Sequence, residues 1–242
     1  MTFLKTLAIV SILSIFSYES CLAVSKPNDV NIAASGKVYR SPQRWAPDIA
    51  AFKKMDDQNF PPQNAVLFVG SSSIRLWDIK KFFPDLAAIN RGFGGSYISE
   101  SVYYADKIVL PYKPRIIVFY AGDNDIAGKK PPELLLSDFN DFATIVHKNL
   151  PKTRIIYIAI KPSIKRWLMW PQAKKANDLI LQYCRSTDFA QFLDIAPAML
   201  GADGKPRPEL FVPDGLHLNE TGYQLWTKML NPMLADKTAG KH

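Results

Sequence analysis

The sequence is poor in cysteine, with only Cys21 and Cys184 among its 242 residues. Cys21 lies in an N-terminal segment that we expect to be removed, and Cys184 would then remain alone. A single cysteine cannot form an intramolecular disulfide, so the fold is not expected to depend on oxidation. Cys184 follows an apolar helical pattern in "LILQYCRSTDF" and is predicted to be an inert, buried thiol.

The sequence also lacks a cluster of metal-ligating residues, because its three histidines are scattered and its second cysteine is distant. We therefore predict no metal site. The net charge of +8 is spread along the chain and no nucleic-acid motif accompanies it, which argues against DNA or RNA as a partner. A basic surface favours peripheral association with anionic envelopes or acidic polymers.

Long apolar runs are confined to the N-terminus, where "LAIVSILSIF" (residues 7–16) follows Lys5 and precedes the small residue Ala23. The run is too short for a comfortable membrane span, so residues 1–23 are predicted to be a cleaved signal peptide. The alternative is an uncleaved anchor. A lipoprotein signal is disfavoured because Glu19 stands where a small residue is expected. Export predicts a periplasmic or secreted protein, and the oligomeric state stays open.

The remaining chain is predicted to contain one domain, residues 60–242, preceded by an extension, residues 24–59, that packs on it. From residue 65 onward, buried strands alternate with helices. The predicted strands are "AVLFV", "LAAIN", "RIIVFY", "TRIIYIAI" and "FLDI". The predicted helices are "SIRLWDIKKFF", "ISESVYYADKIVLPY", "PPELLLSDFNDFATIVHKNL", "WPQAKKANDLILQYCRS" and "NETGYQLWTKML". This alternation predicts an α/β fold, a three-layer α/β/α sandwich with a five-stranded parallel sheet.

Polar and glycine-rich stretches follow the first three strands, and another precedes the last helix. They are "GSSS" (70–73), "NRGFGGS" (90–96), "AGDND" (121–125) and "VPDGLHLN" (212–219). In parallel sheets, ligands bind where the strands end at their carboxyl edge, so these stretches are expected to meet there.

Each stretch supplies a group suited to acyl transfer. A serine at a helix start needs a base, and Asp214 is close enough in sequence to orient His217 as that base. Asn124 offers an amide that donates without titrating, and the glycines allow backbone N–H groups to approach an anion. Taken singly, each has a structural explanation in a turn or a helix cap. His147 lies in a helical pattern away from the strand ends and is assigned to the surface.

Together the stretches resemble the four motifs of the SGNH hydrolases, also called GDSL esterases and lipases. The residues that carry the resemblance are "GSS" (70–72), Gly95, "GDND" (122–125) and "DGLH" (214–217), within a similarity that runs from about Ala65 to Trp226. The sequence looks most similar to the lysophospholipase-like and acetylhydrolase-like bacterial branch. The resemblance implies a flavodoxin-like fold and a serine esterase that hydrolyses carboxylic esters through an acyl-enzyme, without a cofactor.

Site roles follow from the same resemblance. It implies Ser72 as the nucleophile, His217 as the base and Asp214 as its partner, with an oxyanion hole formed by the Ser72 and Gly95 backbone N–H groups and the Asn124 amide. The chain departs from the family at Ser71, where the family has aspartate. Three serines in a row leave Ser71 or Ser73 as alternative nucleophiles.

Substrate choice is less constrained by the sequence. Trp167 and Trp170 follow the fourth strand and are candidates for substrate binding, or else they pack as part of an ordinary loop. The sequence has no long apolar lid, so small or single-chain esters are favoured, such as acetylated envelope glycans or lysophospholipids. Two other functions remain open: a non-catalytic module that binds a glycan or anion, and an acyltransferase to a sugar.

Overall fold

A computed structural model describes residues 30–32 and 38–235, with side chains described from residue 41 onward. Two short strands, Val30–Ile32 (β1) and Val38–Arg40 (β2), pair antiparallel ahead of the main domain. The predicted signal peptide and Cys21 lie outside the described residues. The proposed division into an extension and a domain therefore stays a prediction.

The main sheet contains five strands and all of its pairings are parallel. Its strands are Val66–Gly70 (β3), Ala88–Gly92 (β4), Ile116–Tyr120 (β5), Arg154–Ile158 (β6) and Ala190–Leu193 (β7), and their spatial order is β4-β3-β5-β6-β7. Every residue of β3 and β5 is buried, which explains why these strands read as continuous apolar runs without alternation. The predicted three-layer α/β/α sandwich with a five-stranded parallel sheet is confirmed.

Helices cover both faces of this sheet. They are Ala46–Gln58 (α1), Ser72–Arg75 (α2), Ile79–Phe82 (α3), Ile98–Tyr103 (α4), Ala105–Ile108 (α5), Asp123–Ala127 (α6), Pro132–Asn149 (α7), Trp170–Arg185 (α8), Ala196–Met199 (α9) and Glu220–Leu234 (α10). One apolar cluster joins the sheet to α1, α4, α5, α7 and α8, and a second joins it to α3, α9 and α10. Among the described residues, no helix is long and apolar enough to cross a membrane.

Local chemistry explains where the helices depart from the sequence-based prediction. The segment predicted as one helix over 73–83 is divided into α2 and α3, because Asp78 caps a new helix by accepting from the Lys81 N–H at 3.1 Å. Residues 98–112 likewise divide into α4, α5 and a 3-10 turn, Leu110–Tyr112, which is followed by Lys113 with a φ of 44°. The last helix begins as predicted, with the Asn219 side chain accepting from the Gly222 N–H at 3.0 Å.

Two further differences concern the sheet edge and the N-terminal segment. The fifth strand begins two residues earlier than predicted and ends before Asp194, whose carboxylate accepts from the Ala196 N–H instead. Helix α1 was not predicted from the sequence. It packs on the sheet through buried Ile49, and Asp56 near its end binds both Arg91 and the Tyr112 hydroxyl.

The strand β3 ends in a glycine because no side chain fits there. Gly70 has a φ of 138°, and a Cβ at this position would lie 1.9 Å from the Tyr120 carbonyl oxygen of β5. The same carbonyl accepts the Ser71 N–H at 2.9 Å, so the strand cannot move away without losing that hydrogen bond. The turn that follows β3 is thus held tightly against β5.

We expect Gly70→Ala to lower the free energy of unfolding by about 4 kcal/mol or more, because a steric clash adds to an unfavourable backbone conformation. Gly204→Ala is the matched control: Gly204 also has a positive φ, 72°, but nothing lies within 4 Å of its Cβ position. The control should cost only about 1–2 kcal/mol. Urea unfolding of both variants measures the difference, and equal costs would show that the contact with Tyr120 is unimportant.

Candidate functional site

Ser72, His217 and Asp214 form a continuous chain of contacts at the carboxyl edge of the sheet. Ser72 begins α2 immediately after β3, whereas the other two lie in the loop before α10. His217 Nε2 is 3.1 Å from Ser72 Oγ, and His217 Nδ1 is 2.6 Å from Asp214 Oδ2. The imidazole therefore bridges a hydroxyl and a carboxylate, the arrangement that lets a neutral histidine accept the serine proton.

Backbone contacts hold the loop that carries Asp214 and His217. Asp214 Oδ1 accepts from the N–H groups of Leu216 and His217 at 2.8 and 2.9 Å, and Gly215 between them has a φ of 66°. Burial raises the pKa of Asp214. Hydrogen bonds from the His217 side chain and from these backbone groups lower the pKa by more, so that its value is about 2. The carboxylate is therefore ionised at neutral pH and accepts from the imidazole.

The three consecutive serines differ in their surroundings. Ser72 is half-buried and is the one of the three with its hydroxyl at hydrogen-bonding distance from the His217 imidazole. Ser71 and Ser73 are both buried, and Ser73 Oγ lies 3.3 Å from the Lys161 ammonium. The geometry thus favours Ser72 over its neighbours as the group that His217 can activate.

Gly95 and Asn124, the predicted oxyanion donors, lie in the same cleft as Ser72. Gly95 has a φ of 77° in the loop after β4, and Asn124 lies in the first turn of α6, which begins after Gly122 with a φ of 114°. Asn124 Nδ2 donates one hydrogen bond to the Ser96 carbonyl at 3.1 Å. Because a side-chain amide has two N–H groups, the second remains for a ligand.

The cleft has a volume of about 420 Å³ and includes residues that the sequence analysis did not assign. Its additional lining residues are Trp45, Asp48, Arg75, Asp123, Arg166 and Leu216. Trp45 and Asp48 come from the segment interpreted as a packing extension, which offered no motif to suggest that it reaches the site. Asp123 is part of "GDND", but the resemblance assigns it no role. Arg166 is one of several cations in the segment 161–175, and nothing in the sequence distinguishes it from the others.

Trp167 and Trp170, the predicted substrate contacts, are not among the residues that line this cleft. Their rings stack on each other with centroids 6.2 Å apart, and Trp170 also packs against the apolar cluster beneath α8. The loop after β6 that leads to both tryptophans does reach the cleft, but it does so through Arg166. Substrate contact by either tryptophan stays a prediction.

Asp125, the last residue of "GDND", has a supporting position behind the cleft. Its side chain is fully buried and binds the Lys130 ammonium at 2.9 Å, while Lys130 also binds Asp138 of α7 at 2.5 Å. Burial raises the pKa of Asp125 to about 6, although Lys130 opposes the shift. These contacts connect α6 to α7 and so fix the turn that contains Asn124.

The other residues singled out in the sequence lie away from the cleft. Cys184 is buried in α8 as predicted, and burial raises the pKa of its thiol to about 12. His147 is exposed on α7, as predicted, and stacks on Phe189 with ring centroids 4.1 Å apart. Within the described part of the chain, no group of three or more histidine, cysteine, aspartate or glutamate side chains could hold a metal ion.

A larger cavity of about 620 Å³ lies between α1 and α5, bounded by residues such as Ile49, Phe60 and Tyr104. It contains none of the residues discussed above as a nucleophile, base or oxyanion donor. Its size therefore does not make it the better candidate for chemistry, and the cleft beside Ser72 is the candidate active site.

Comparisons with known proteins agree with this architecture. The model of the GDSL-like lipase/acylhydrolase family matches residues 78–225, more than half of the chain, and its match begins after Ser72. No curated protein matches the chain.

Solved structures share the fold at low sequence identity. A Streptococcus pneumonia protein provisionally described as a platelet activating factor has a TM-score of 0.72 and 20% identity, over 80% of this chain and 94% of that one. A GDSL-like lipase from Bacteroides thetaiotaomicron has a TM-score of 0.62 and 20% identity, over 80% and 96%. A catalytic mutant of an acetylxylan esterase from Geobacillus stearothermophilus has a TM-score of 0.59 and 13% identity, over 72% and 96%.

We expect Asp214→Asn to slow modification of Ser72 by a fluorophosphonate about 10³-fold, because an amide no longer fixes the tautomer of His217. The wild-type rate should not respond to titration of Asp214 above pH 4, since the pKa of that carboxyl is about 2. Peptide mass spectrometry of the labelled protein from pH 4 to 9 measures both effects.

Asp203→Asn is the control for this variant, because Asp203 is also an exposed loop carboxylate that accepts a nearby backbone N–H, from Lys205 at 3.0 Å. The control should label at the wild-type rate. Labelling of Asp214→Asn at that same rate would show that the carboxylate does not orient the imidazole.

Proposed function

Because this chain belongs to the GDSL-like lipase/acylhydrolase family and is therefore a carboxylic ester hydrolase, we propose that Ser72, His217 and Asp214 are its catalytic triad. The observation that carries this proposal is the continuous contact from Asp214 Oδ2 through the imidazole to Ser72 Oγ, at 2.6 and 3.1 Å. A module that merely binds a glycan has no need of a carboxylate that orients a base toward a hydroxyl.

The reaction proceeds in two acyl transfers. Ser72 Oγ attacks the ester carbonyl carbon while its proton passes to His217 Nε2, and the tetrahedral intermediate collapses when the imidazolium protonates the leaving alcohol. Water then attacks the acyl-enzyme, with His217 again taking the proton, and the carboxylic acid leaves as Ser72 regains its hydrogen. Asp214 stabilises the imidazolium in both halves of the reaction.

The negative charge that forms on the carbonyl oxygen needs fixed donors. The Ser72 and Gly95 backbone N–H groups and the free N–H of the Asn124 amide are assigned this role. The proposal is supported by the fact that all three residues line one cleft. Asn124 is further held by its hydrogen bond to the Ser96 carbonyl, so its amide need not reorient during the reaction.

Ser72→Ala and His217→Ala are each expected to reduce hydrolysis of p-nitrophenyl acetate by about 10⁴-fold or more, because either change removes the activated nucleophile. Ser71→Ala is the matched control: it removes a neighbouring hydroxyl that makes no contact with His217, and it should keep most of the activity. Steady-state kinetics with labelling of the active serine test the assignment. Wild-type turnover in Ser72→Ala would refute it.

We further infer that the acyl group is short and that its carrier is polar. Among the described residues that line the cleft, the large apolar side chains are Trp45 and Leu216, and most of the others are charged or polar. A long acyl chain would find little apolar surface to contact there. One protein that shares this fold is an acetylxylan esterase. This similarity supports the proposal that an acetylated glycan, and not a lysophospholipid, is the substrate class.

The chain-length preference can be measured with p-nitrophenyl esters. We expect kcat/KM to fall at least about 10-fold from acetate to octanoate, whereas an apolar acyl groove would add about 0.8 kcal/mol of binding per methylene and reverse the trend. Release of acetate from an acetylated oligosaccharide should exceed release of fatty acid from lysophosphatidylcholine. Octanoate preference would refute the short-acyl assignment, and acetyl transfer to an added saccharide in place of acetate release would identify a transferase.

A further inference from the structure

A buried cluster of charged residues beside the candidate oxyanion hole has no role in the mechanism derived so far. From its geometry we propose that Arg166 is a positioning residue, which fixes the Asn124 amide for the oxyanion and acts with Asp123 and Lys161 as a unit. The inference rests on the proposed function, because it assigns Arg166 a role in that same reaction.

The guanidinium of Arg166 contacts two consecutive residues of α6 with two different nitrogen atoms. One nitrogen lies 2.5 Å from Asp123 Oδ1 and the other lies 3.0 Å from Asn124 Oδ1. Because a guanidinium is planar and its donors have fixed directions, the contact with Asp123 also fixes the nitrogen that reaches Asn124. Arg166 is thereby held in place by a charge and presents an N–H of its other terminal nitrogen to the amide oxygen.

This contact determines which way the Asn124 amide faces. Its oxygen accepts from Arg166, and its nitrogen donates to the Ser96 carbonyl at 3.1 Å. A flipped amide would place N–H groups against the guanidinium and an oxygen against a carbonyl, which loses both hydrogen bonds and sets like groups together. Without Arg166, one of the two contacts that prevent this rotation is gone.

Lys161 extends the cluster toward the nucleophile turn. Its ammonium lies 2.8 Å from Asp123 Oδ2, 3.0 Å from the Tyr120 hydroxyl and 3.3 Å from Ser73 Oγ, and its side chain is only 1% exposed. Ser73 directly follows Ser72, so Lys161 lies beside the turn that carries the proposed nucleophile. The Asp123 carboxylate therefore binds Lys161 at that turn and also binds Arg166, which contacts Asn124. The cluster therefore connects the two parts of the site that must keep their relative positions.

The charges of the cluster do not cancel. Burial raises the pKa of the Asp123 carboxyl, but the charges of Lys161 and Arg166 lower it by more, so one carboxylate faces two cations. The Tyr120 hydroxyl stays neutral, because burial and the charge of Asp123 hold its pKa well above the ordinary value. Because Asp123 stays ionised, it holds the Arg166 guanidinium by charge, and the guanidinium in turn acts on the oxyanion position through the Asn124 amide.

A competing role for Arg166 is direct contact with the substrate, since its side chain is 19% exposed and lines the cleft. The two roles predict different kinetics. A residue that acts through Asn124 should affect kcat and should lose its effect once the amide is removed. A residue that binds the substrate should affect KM and should act independently of Asn124.

A double-mutant cycle in the full chain separates these roles. Asn124→Ala should lower kcat for p-nitrophenyl acetate about 10²-fold, and Arg166→Gln about 10-fold with KM changed less than about twofold. In the Asn124→Ala background, Arg166→Gln should cost less than about twofold more. Arg166→Lys keeps the charge but cannot present two fixed donors, so its kcat should lie between those of the wild type and Arg166→Gln.

Arg185→Gln is the matched control, because Arg185 is exposed at the end of α8 and should keep wild-type kinetics. An equal effect of Arg166→Gln in both backgrounds, or an effect on KM alone, would overturn the inference in favour of direct substrate contact. A lowered thermal midpoint with unchanged kcat would overturn it in favour of a structural role. If Arg166→Gln does not fold, Arg166→Lys in the same cycle gives the same decision.

The proposed triad and the proposed role of Arg166 can fail separately. Full activity in Ser72→Ala would remove the basis of both. Loss of activity in Ser72→Ala together with an unaffected kcat in Arg166→Gln would leave the triad intact and overturn only the positioning role. The stated expectation, a loss in kcat that disappears in the Asn124→Ala background, supports both.

Discussion

The parallel pairing of β3 with β4 and β5 is the constraint on which the rest of the molecule depends. Parallel strands all end at the same edge, so the loops after them are brought together however far apart they lie in sequence. At that edge β3 ends in Gly70, directly against the Tyr120 carbonyl of β5. A side chain there would separate the strands and move the serine turn away from the loop that carries Asn124.

The imidazole and the carboxylate beside it come from outside this strand arrangement. His217 and Asp214 lie on the loop before α10, and α10 packs on the sheet through Trp226 and Leu230. The position of the imidazole beside Ser72 therefore depends on how α10 is seated on that face. Within the loop, Asp214 accepts hydrogen bonds from the backbone N–H groups of Leu216 and His217, which restrict the conformations of the loop. A small polar loop on a well-packed helix thus places the imidazole beside Ser72.

Burying the charged groups near the cleft costs free energy, and their pairing must offset that cost. Burying a lone carboxylate or ammonium is strongly unfavourable, and Asp123 and Lys161 are both buried. Each has several partners: Asp123 binds two cations and Lys161 also contacts two hydroxyl groups. Such a network contributes less to net stability than apolar packing would, but it holds polar groups in fixed directions, which a charged intermediate requires.

Periodicity and residue order were sufficient to predict the sheet, its five strands and the residues that meet at its edge. Buried parallel strands have a recognisable apolar pattern, and the motif residues follow strand ends in a fixed order. The pattern could not reveal α1, because that helix buries little more than Ile49 and its apolar residues are not gathered on one clear face. Nor could it divide residues 73–83 into two helices, since Asp78 as a cap competes with the continuing helix only in the folded geometry.

The sequence by itself therefore determined the fold class and supplied the candidates for the reacting groups. Only the tertiary structure decided which of three serines faces the imidazole and which of several cations reaches Asn124. The physical reason is that these contacts join residues far apart in the chain. Nothing in the sequence indicates that Ser72 contacts His217, or that Asn124 contacts Arg166. Their contact depends on strand order, on how α10 and the loop after β6 pack, and on the rotamers that packing allows.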